Sequence, residues 1–289
     1  MNKFDPKHGA DQYHEIRTRF LESNDIRLVD IVDLVQKSTF DPNATADDMW
    51  SRIWDKPLYA NTKEEQGEKN IELLKNTPLA TDFRKISSDA WKINWDRSSR
   101  YKWNQNGAYE LLGSEIQSFF DKNHPEFSNF NSTKRRIARW RIYRIINAGS
   151  GLLKLANETK NPMSKIFGLA GGDNPSYEKL HGIFNDVFGL GPITTDHALT
   201  DLGLAIKPDI WLTRAVVNWG WFEPTVPKGS SNDAIMNYFN NRKNVYILLD
   251  RVKSIIPYVV PLVGCEQNPL REVDYILMHS QKMGTKWGD

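Results

Sequence analysis

One cysteine, Cys265, occurs in 289 residues. A single thiol can make neither an intrachain disulfide nor a thiolate cluster, so a disulfide-stapled scaffold and a cysteine-ligated metal centre are both excluded. Long apolar runs are missing too: nothing approaches the roughly eighteen residues of a membrane span. Met1-Asn2-Lys3-Phe4-Asp5 lacks the apolar stretch of a signal peptide. The expectation is a soluble, cytoplasmic protein without membrane contact. The histidines (His8, His14, His124, His181, His197 and His279) show no paired ligand spacing. Gly168 to Gly172 lacks the Gly-Lys-Ser/Thr of a phosphate-binding loop, and Gly149-Ser150-Gly151 is too short for a nucleophile elbow. No metal and no cofactor is expected. Alternating strand patterns are scarce, which points to a mainly-α class.

What is present is aromatic bulk and an uneven charge. Hydrophobic residues make up 39% of the chain and aromatics 11%, with 10 tryptophans, enough for a sizeable core. Net charge is only +2, but residues 1–133 carry 18 Lys/Arg against 22 Asp/Glu, whereas residues 134–289 carry 20 against 14. A polyanion partner is therefore a better match to the second half than to the first.

Amphipathic spacing predicts short helices over Asp11–Leu21 and Ile26–Val35. A turn at Asp41-Pro42-Asn43-Ala44-Thr45 feeds a helix burying Met49, Trp50, Ile53 and Trp54. Charged helix follows from Glu64 to Leu74, and another helix is predicted over Leu111–Phe120. Between them, Trp91 to Trp103 interleaves rings with Lys92, Arg97, Arg100 and Lys102. That pattern fits stacking on bases as well as it fits ordinary packing. Ser132-Thr133 caps the most basic segment, which runs from Lys134 through Arg135, Arg136, Arg139, Trp140 and Arg141 to Arg144. It reads equally as a phosphate-contacting helix and as a solvated basic one.

The chain is organised around Phe184 to Arg214. Tyr177, Leu180, Phe184 and Val187 recur at helical spacing behind Asn174-Pro175, which supply an N-cap and an N1 proline. Gly189-Leu190-Gly191 must stop that helix. Pro192 opens the next, whose apolar face is Thr195, Ala198, Leu199 and Leu202, and Gly203 ends it. Free amides and a helix N-terminus at such a hairpin suit a phosphate. Asp209 then opens a helix with Leu212, Ala215, Val216 and Trp219 inside. Further helix is predicted from Asn232 or Asp233 through Ile256, and a last one from near Pro269 to Gly284.

This arrangement resembles the helix-hairpin-helix DNA glycosylases. Their pattern is a Gly-hydrophobic-Gly hairpin, a helix, then Pro-Asp opening another helix that carries an arginine. Gly189, Leu190 and Gly191 match the hairpin, Pro208-Asp209 the loop and aspartate, and Arg214 the arginine. Arg271-Glu272-Val273-Asp274-Tyr275-Ile276-Leu277 resembles the closing helix beside the family's catalytic loop. The resemblance divides the chain into 1–130, a mostly helical region without an assigned role, and 131–289, a glycosylase-like helical domain. It implies a DNA-binding surface at Gly189, Leu190, Gly191, Pro192 and Arg214, with Arg136 and Arg139 adding charge. Bifunctional members carry a sugar-attacking lysine two residues after the hairpin's last glycine; here that residue is Ile193. Trp211 stands where many members have histidine, and a four-cysteine iron–sulfur module is ruled out by Cys265 standing alone.

The resemblance thus implies a monofunctional enzyme, acting as a monomer on double-stranded DNA with one base flipped, and leaving an abasic site. Breaking an N-glycosidic bond builds positive charge on the sugar, and a fixed carboxylate stabilises that charge more than the neutral ground state. Asp209 is the candidate, although an aspartate after proline is also an ordinary N-cap. Trp211 is either a base-pocket wall or core, and Trp140 and Trp95 are further pocket candidates. Two alternatives stay open: a hairpin protein that grips DNA without chemistry, and a helical protein in which the glycines only make a turn. The excised base, and a role in repair or against modified phage DNA, do not follow from the residues.

Overall fold

The computed structural model describes residues 4–23, 28–38, 41, 43–60, 63–90, 139–172 and 175–282. Helices and their connections account for these, with no strand among the described residues, so the class is mainly α. No described helix is long and apolar enough to cross a membrane. Several expectations lie outside the described residues: the boundary near residue 130, the Trp91–Trp103 segment with Trp95, the Leu111–Phe120 helix, Arg136 and the cap at Ser132-Thr133, Asn174, and the stop at Gly284.

The chain divides into two compact units, each discontinuous in sequence. One comprises Met1–Asp41, Asn174–His181 and Asp196–Asp289; the other comprises Pro42–Asp173 and Gly182–Thr195.

In the first unit the Pro269–Lys282 helix is central. It packs against Ile210–Asn218, Pro6–Ser23 and Leu28–Ser38, and Pro6–Ser23 also meets Arg242–Ile255. Its inner face combines Val273, Ile276 and Leu277 with the fully buried Glu272. A buried carboxylate is tolerable only when paired and hydrogen-bonded, and Glu272 is both. Tyr13 Oη–H (2.6 Å) and Arg17 Nη1 (2.9 Å) donate to Oε1, and the Leu262 amide donates to Oε2 (2.8 Å). The helical pattern predicted from Asn232 to Ile256 is broken into Asn232–Phe239 and Arg242–Ile255. Asn241 causes the break: its side chain caps the second helix by accepting the Lys243 N–H.

In the second unit the Arg139–Glu158 helix is the hub. Phe83–Ala90 is its main neighbour, with Ala46–Ile53, Lys56–Tyr59 and Pro162–Ala170 also against it. Thr45 caps Ala46–Ile53 reciprocally with Asp48, as a capping box does. That start turns Met49, Trp50, Ile53 and Trp54 inward, all four buried, and Trp50 meets Phe83 at 5.8 Å between ring centres.

Candidate functional site

The hairpin forms where the glycines require it. The Tyr177–Phe188 helix ends at Gly189, whose φ of 62° is left-handed and suited to glycine. It starts at Tyr177 rather than at Pro175, and the Ser176 carbonyl accepts the Leu180 amide (3.0 Å). Pro175 stays outside the helix because the Tyr177 amide goes to Asp250 Oδ1 (3.2 Å) and the Pro175 carbonyl to Lys253 Nζ (2.8 Å). Pro192 opens the second helix, Pro192–Asp201. Thr195, Ala198, Leu199 and Leu202 are all buried.

The turn is held from inside. Asn185 Nδ2 donates to the Leu190 carbonyl, and Asn147 Nδ2 donates to the Phe188 carbonyl (3.2 Å). With those carbonyls occupied and Leu190 buried, the turn presents Pro192 and Ile193 at the start of a helix, whose first-turn amides have no internal acceptor. Ile193 is 67% exposed. Arg144, from the Arg139–Glu158 helix, brings its Nη1 to 3.6 Å from the place a Cβ on Gly191 would occupy. A guanidinium beside a helix N-terminus is the chemistry of a phosphate site. Sequence reading placed Arg144 in the basic helix but not at the hairpin. The neighbouring Arg141 points elsewhere: it is buried and donates to the Ala60 carbonyl (2.8 Å), and burial lowers its pKa. Arg139 and Trp140 begin the same helix, and their side chains lie outside the description.

The outer ends of the hairpin helices, in the first unit, meet around Asp196. Tyr177 Oη–H donates to Asp196 Oδ1 (2.7 Å), and Arg242 pairs with the same oxygen. His181 Nε2 stands 2.8 Å from Arg242 Nη2.

Asp209 belongs to this first unit. It caps the Ile210–Asn218 helix from extended backbone, with Oδ1 accepting the Leu212 amide (2.9 Å). Among the described residues no donor is bonded to its other oxygen, and the residue is half-buried. Its own amide turns back to the Lys207 carbonyl (2.8 Å) around Pro208. Arg214 lies over the Trp211 ring, 5.3 Å from guanidinium carbon to ring centre, and both are half-buried. Trp211 therefore does not fill the core. Leu212, Ala215, Val216 and Trp219 fill it instead.

The charge of Asp209 is felt by two residues of the Pro269–Lys282 helix, Asp274 and His279, and neither was among the sequence candidates. Asp274 is buried and pairs with Arg271. Burial raises its pKa to about 6, the negative charge of Asp209 adds to the rise, and Arg271 and the Lys207 amide oppose it. His279 stacks on Tyr275, with ring centres 4.0 Å apart. Burial and then Lys282 lower its pKa, against the opposing charge of Asp209. A signal for Asp274 existed: it interrupts the apolar positions Leu270, Val273 and Leu277 at helical spacing.

No family model, no curated protein and no solved structure matches this chain.

Proposed function

We propose that the chain is a monofunctional DNA glycosylase that excises a flipped, damaged or modified base from duplex DNA. The observation that carries this reading is Asp209: one carboxylate oxygen tied to a helix N-terminus, the other without a described donor, at the head of the helix that carries the Trp211–Arg214 pair. A carboxylate held that way faces a developing sugar cation without having to reorganise. The C1′–N bond breaks with its electron pair leaving on the base. Water then bonds to C1′, and its proton passes to the departing base. Ile193 has no amine for a Schiff base, so strand cleavage by β-elimination is not expected. Flipping costs a few kcal/mol, least at a damaged base, and the hairpin amides with Arg144 supply phosphate contacts that offset part of it.

The test is release of abasic sites. Wild type and Asp209→Asn are incubated with DNAs carrying alkylated, oxidised, mismatched or bulky modified bases, then treated with alkali. Strand breaks that need alkali and vanish in the variant are expected. A second reading is a hairpin protein that grips DNA without chemistry. It is favoured by the fact that the hairpin and Arg144 belong to a unit that does not include Asp209. DNA binding by both proteins with no abasic sites on any substrate would select it.

A further inference from the structure

Three rings close on one another at the outer ends of the hairpin helices. Tyr177, His181 and Tyr246 lie with ring centres 5.6–5.8 Å apart, and all three belong to the first unit. The two nitrogens of His181 face different partners. Arg242 Nη2 stands 2.8 Å from Nε2, and Tyr246 Oη stands 3.3 Å from Nδ1. A guanidinium only donates, so Nε2 is the acceptor. A neutral ring then carries its proton on Nδ1, which donates to Tyr246 Oη. The contacts thus select one tautomer of a neutral imidazole.

The same geometry defines what a second proton does. Asp196 Oδ1 lies 3.5 Å from His181 Nε2 and already accepts Tyr177 Oη–H (2.7 Å) and Arg242 Nη2–H. Tyr177 stays a donor, because burial and then the charge of Asp196 raise its pKa. A proton on Nε2 would set two donors and two positive charges face to face at 2.8 Å, with Asp196 Oδ1 as the acceptor in reach. The side chains of His181 and Asp196 are 5% and 4% exposed, whereas that of Arg242 is 29% exposed and has a way out. Arg242 is also held incompletely: its buried Nε has no acceptor among the described residues.

We infer that His181 is a pH-sensitive latch: while neutral it lets Arg242 bridge the two hairpin helices, and on protonation it takes the Asp196 carboxylate itself and releases Arg242 toward solvent. Facing the ring are Tyr177 on its own helix, Asp196 on Pro192–Asp201, and Arg242 with Tyr246 on Arg242–Ile255. Asp250 and Lys253, further along that last helix, are engaged by the Tyr177 amide and the Pro175 carbonyl. The latch ties the hairpin helices at the ends away from the turn, and it does not depend on the glycosylase reading.

Long-range proton–nitrogen correlation spectra read the ring directly in the full chain, from about pH 7.5 to about pH 5, either side of the ordinary imidazole range. A proton on Nδ1 alone is expected at the upper end, and on both nitrogens at the lower. A proton on Nε2 at the upper end overturns the proposal.

Release of Arg242 is read by a double-mutant cycle on urea unfolding, with Arg242→Met, Asp196→Asn and the pair. The coupling should be about tenfold in the unfolding constant near neutrality, the size of one charge-assisted hydrogen bond, and should vanish at about pH 5. In the His181→Gln background an amide oxygen replaces Nε2 as acceptor and takes no proton, so the coupling should be equal at both. Equal coupling at both pH values with His181 present overturns the latch. Should Asp196→Asn not fold, Arg242→Met alone gives the reading: its cost shrinks with acid in the wild-type background and stays constant in His181→Gln. A cost that is constant in both backgrounds overturns the latch.

Discussion

A Cβ on Gly151 would stand 1.9 Å from the carbonyl oxygen of Val187. The Arg139–Glu158 helix thus meets the last turn of the first hairpin helix backbone to backbone, and no side chain fits between them. That contact sets where the hairpin turn lies relative to Arg144.

Gly151→Ala is accordingly expected to do more than alter helix propensity. Backbone must move, at about 1–3 kcal/mol for overpacking, and the Asn147 bond to Phe188 is displaced with it. Urea denaturation should show a lower midpoint, and DNA retention should weaken. An alanine variant as stable as wild type would mean the two helices are not held this closely.

Asp209 allows structure and chemistry to be separated. Asparagine caps a helix as well as aspartate, whereas alanine costs about 1 kcal/mol. Asp209→Asn should unfold at the wild-type urea concentration and Asp209→Ala at a lower one. Both should lose excision by about 100-fold or more, the range seen when a transition-state charge partner is removed. Equal excision by wild type and the asparagine variant would leave Asp209 as a cap alone.

Arg144 should contribute through phosphate. Arg144→Gln is expected to weaken binding alike on different duplex sequences and to reduce the slope of log affinity against log salt by about one. An unchanged slope with unchanged affinity would remove Arg144 from the interface.

Asp274 makes stability depend on pH in a definite direction. Its carboxyl titrates at about 6 in the folded chain and at about 3.9 when unfolded. The folded state holds the proton more tightly, so this contribution is fully present below the unfolded pKa and is lost as pH rises through the folded one. The loss is on the order of 3 kcal/mol between about pH 3 and pH 7. Asp274→Asn lacks the titration and should gain on wild type across that window in urea unfolding. Parallel curves would show that Asp274 does not titrate there.

Local rules written into single residues were legible. Met49, Trp50, Ile53 and Trp54 face inward behind the Thr45 turn, and Glu64–Leu74 is a helix with the bounds its charge pattern gave. Gly189, Pro192, Gly203 and Asp209 end or begin helices as their backbone chemistry demands. Distant partners were not legible. Pro175 does not open the Tyr177–Phe188 helix, because Asp250 and Lys253 claim the backbone there. Arg141 and Arg144, three residues apart in one basic run, part company because one finds the Ala60 carbonyl and the other the hairpin. Asp274 pairs with Arg271, and spacing within its own helix could only mark it as out of place.

The Glu272 carboxylate has a consequence for how the molecule is made. Its donors Tyr13 and Arg17 lie 259 and 255 residues away in sequence. A ribosome releases the N-terminal helix long before the helix that needs it, and loops of that length close late. The unit that holds Asp209 and Asp274 can therefore reach its final form only after Glu272 has been made. A chain shortened to 131–289 would keep Asp209 and lose both of these donors. The Pro269–Lys282 helix, which supports the candidate site, would then be without them and without the Pro6–Ser23 helix packed against it.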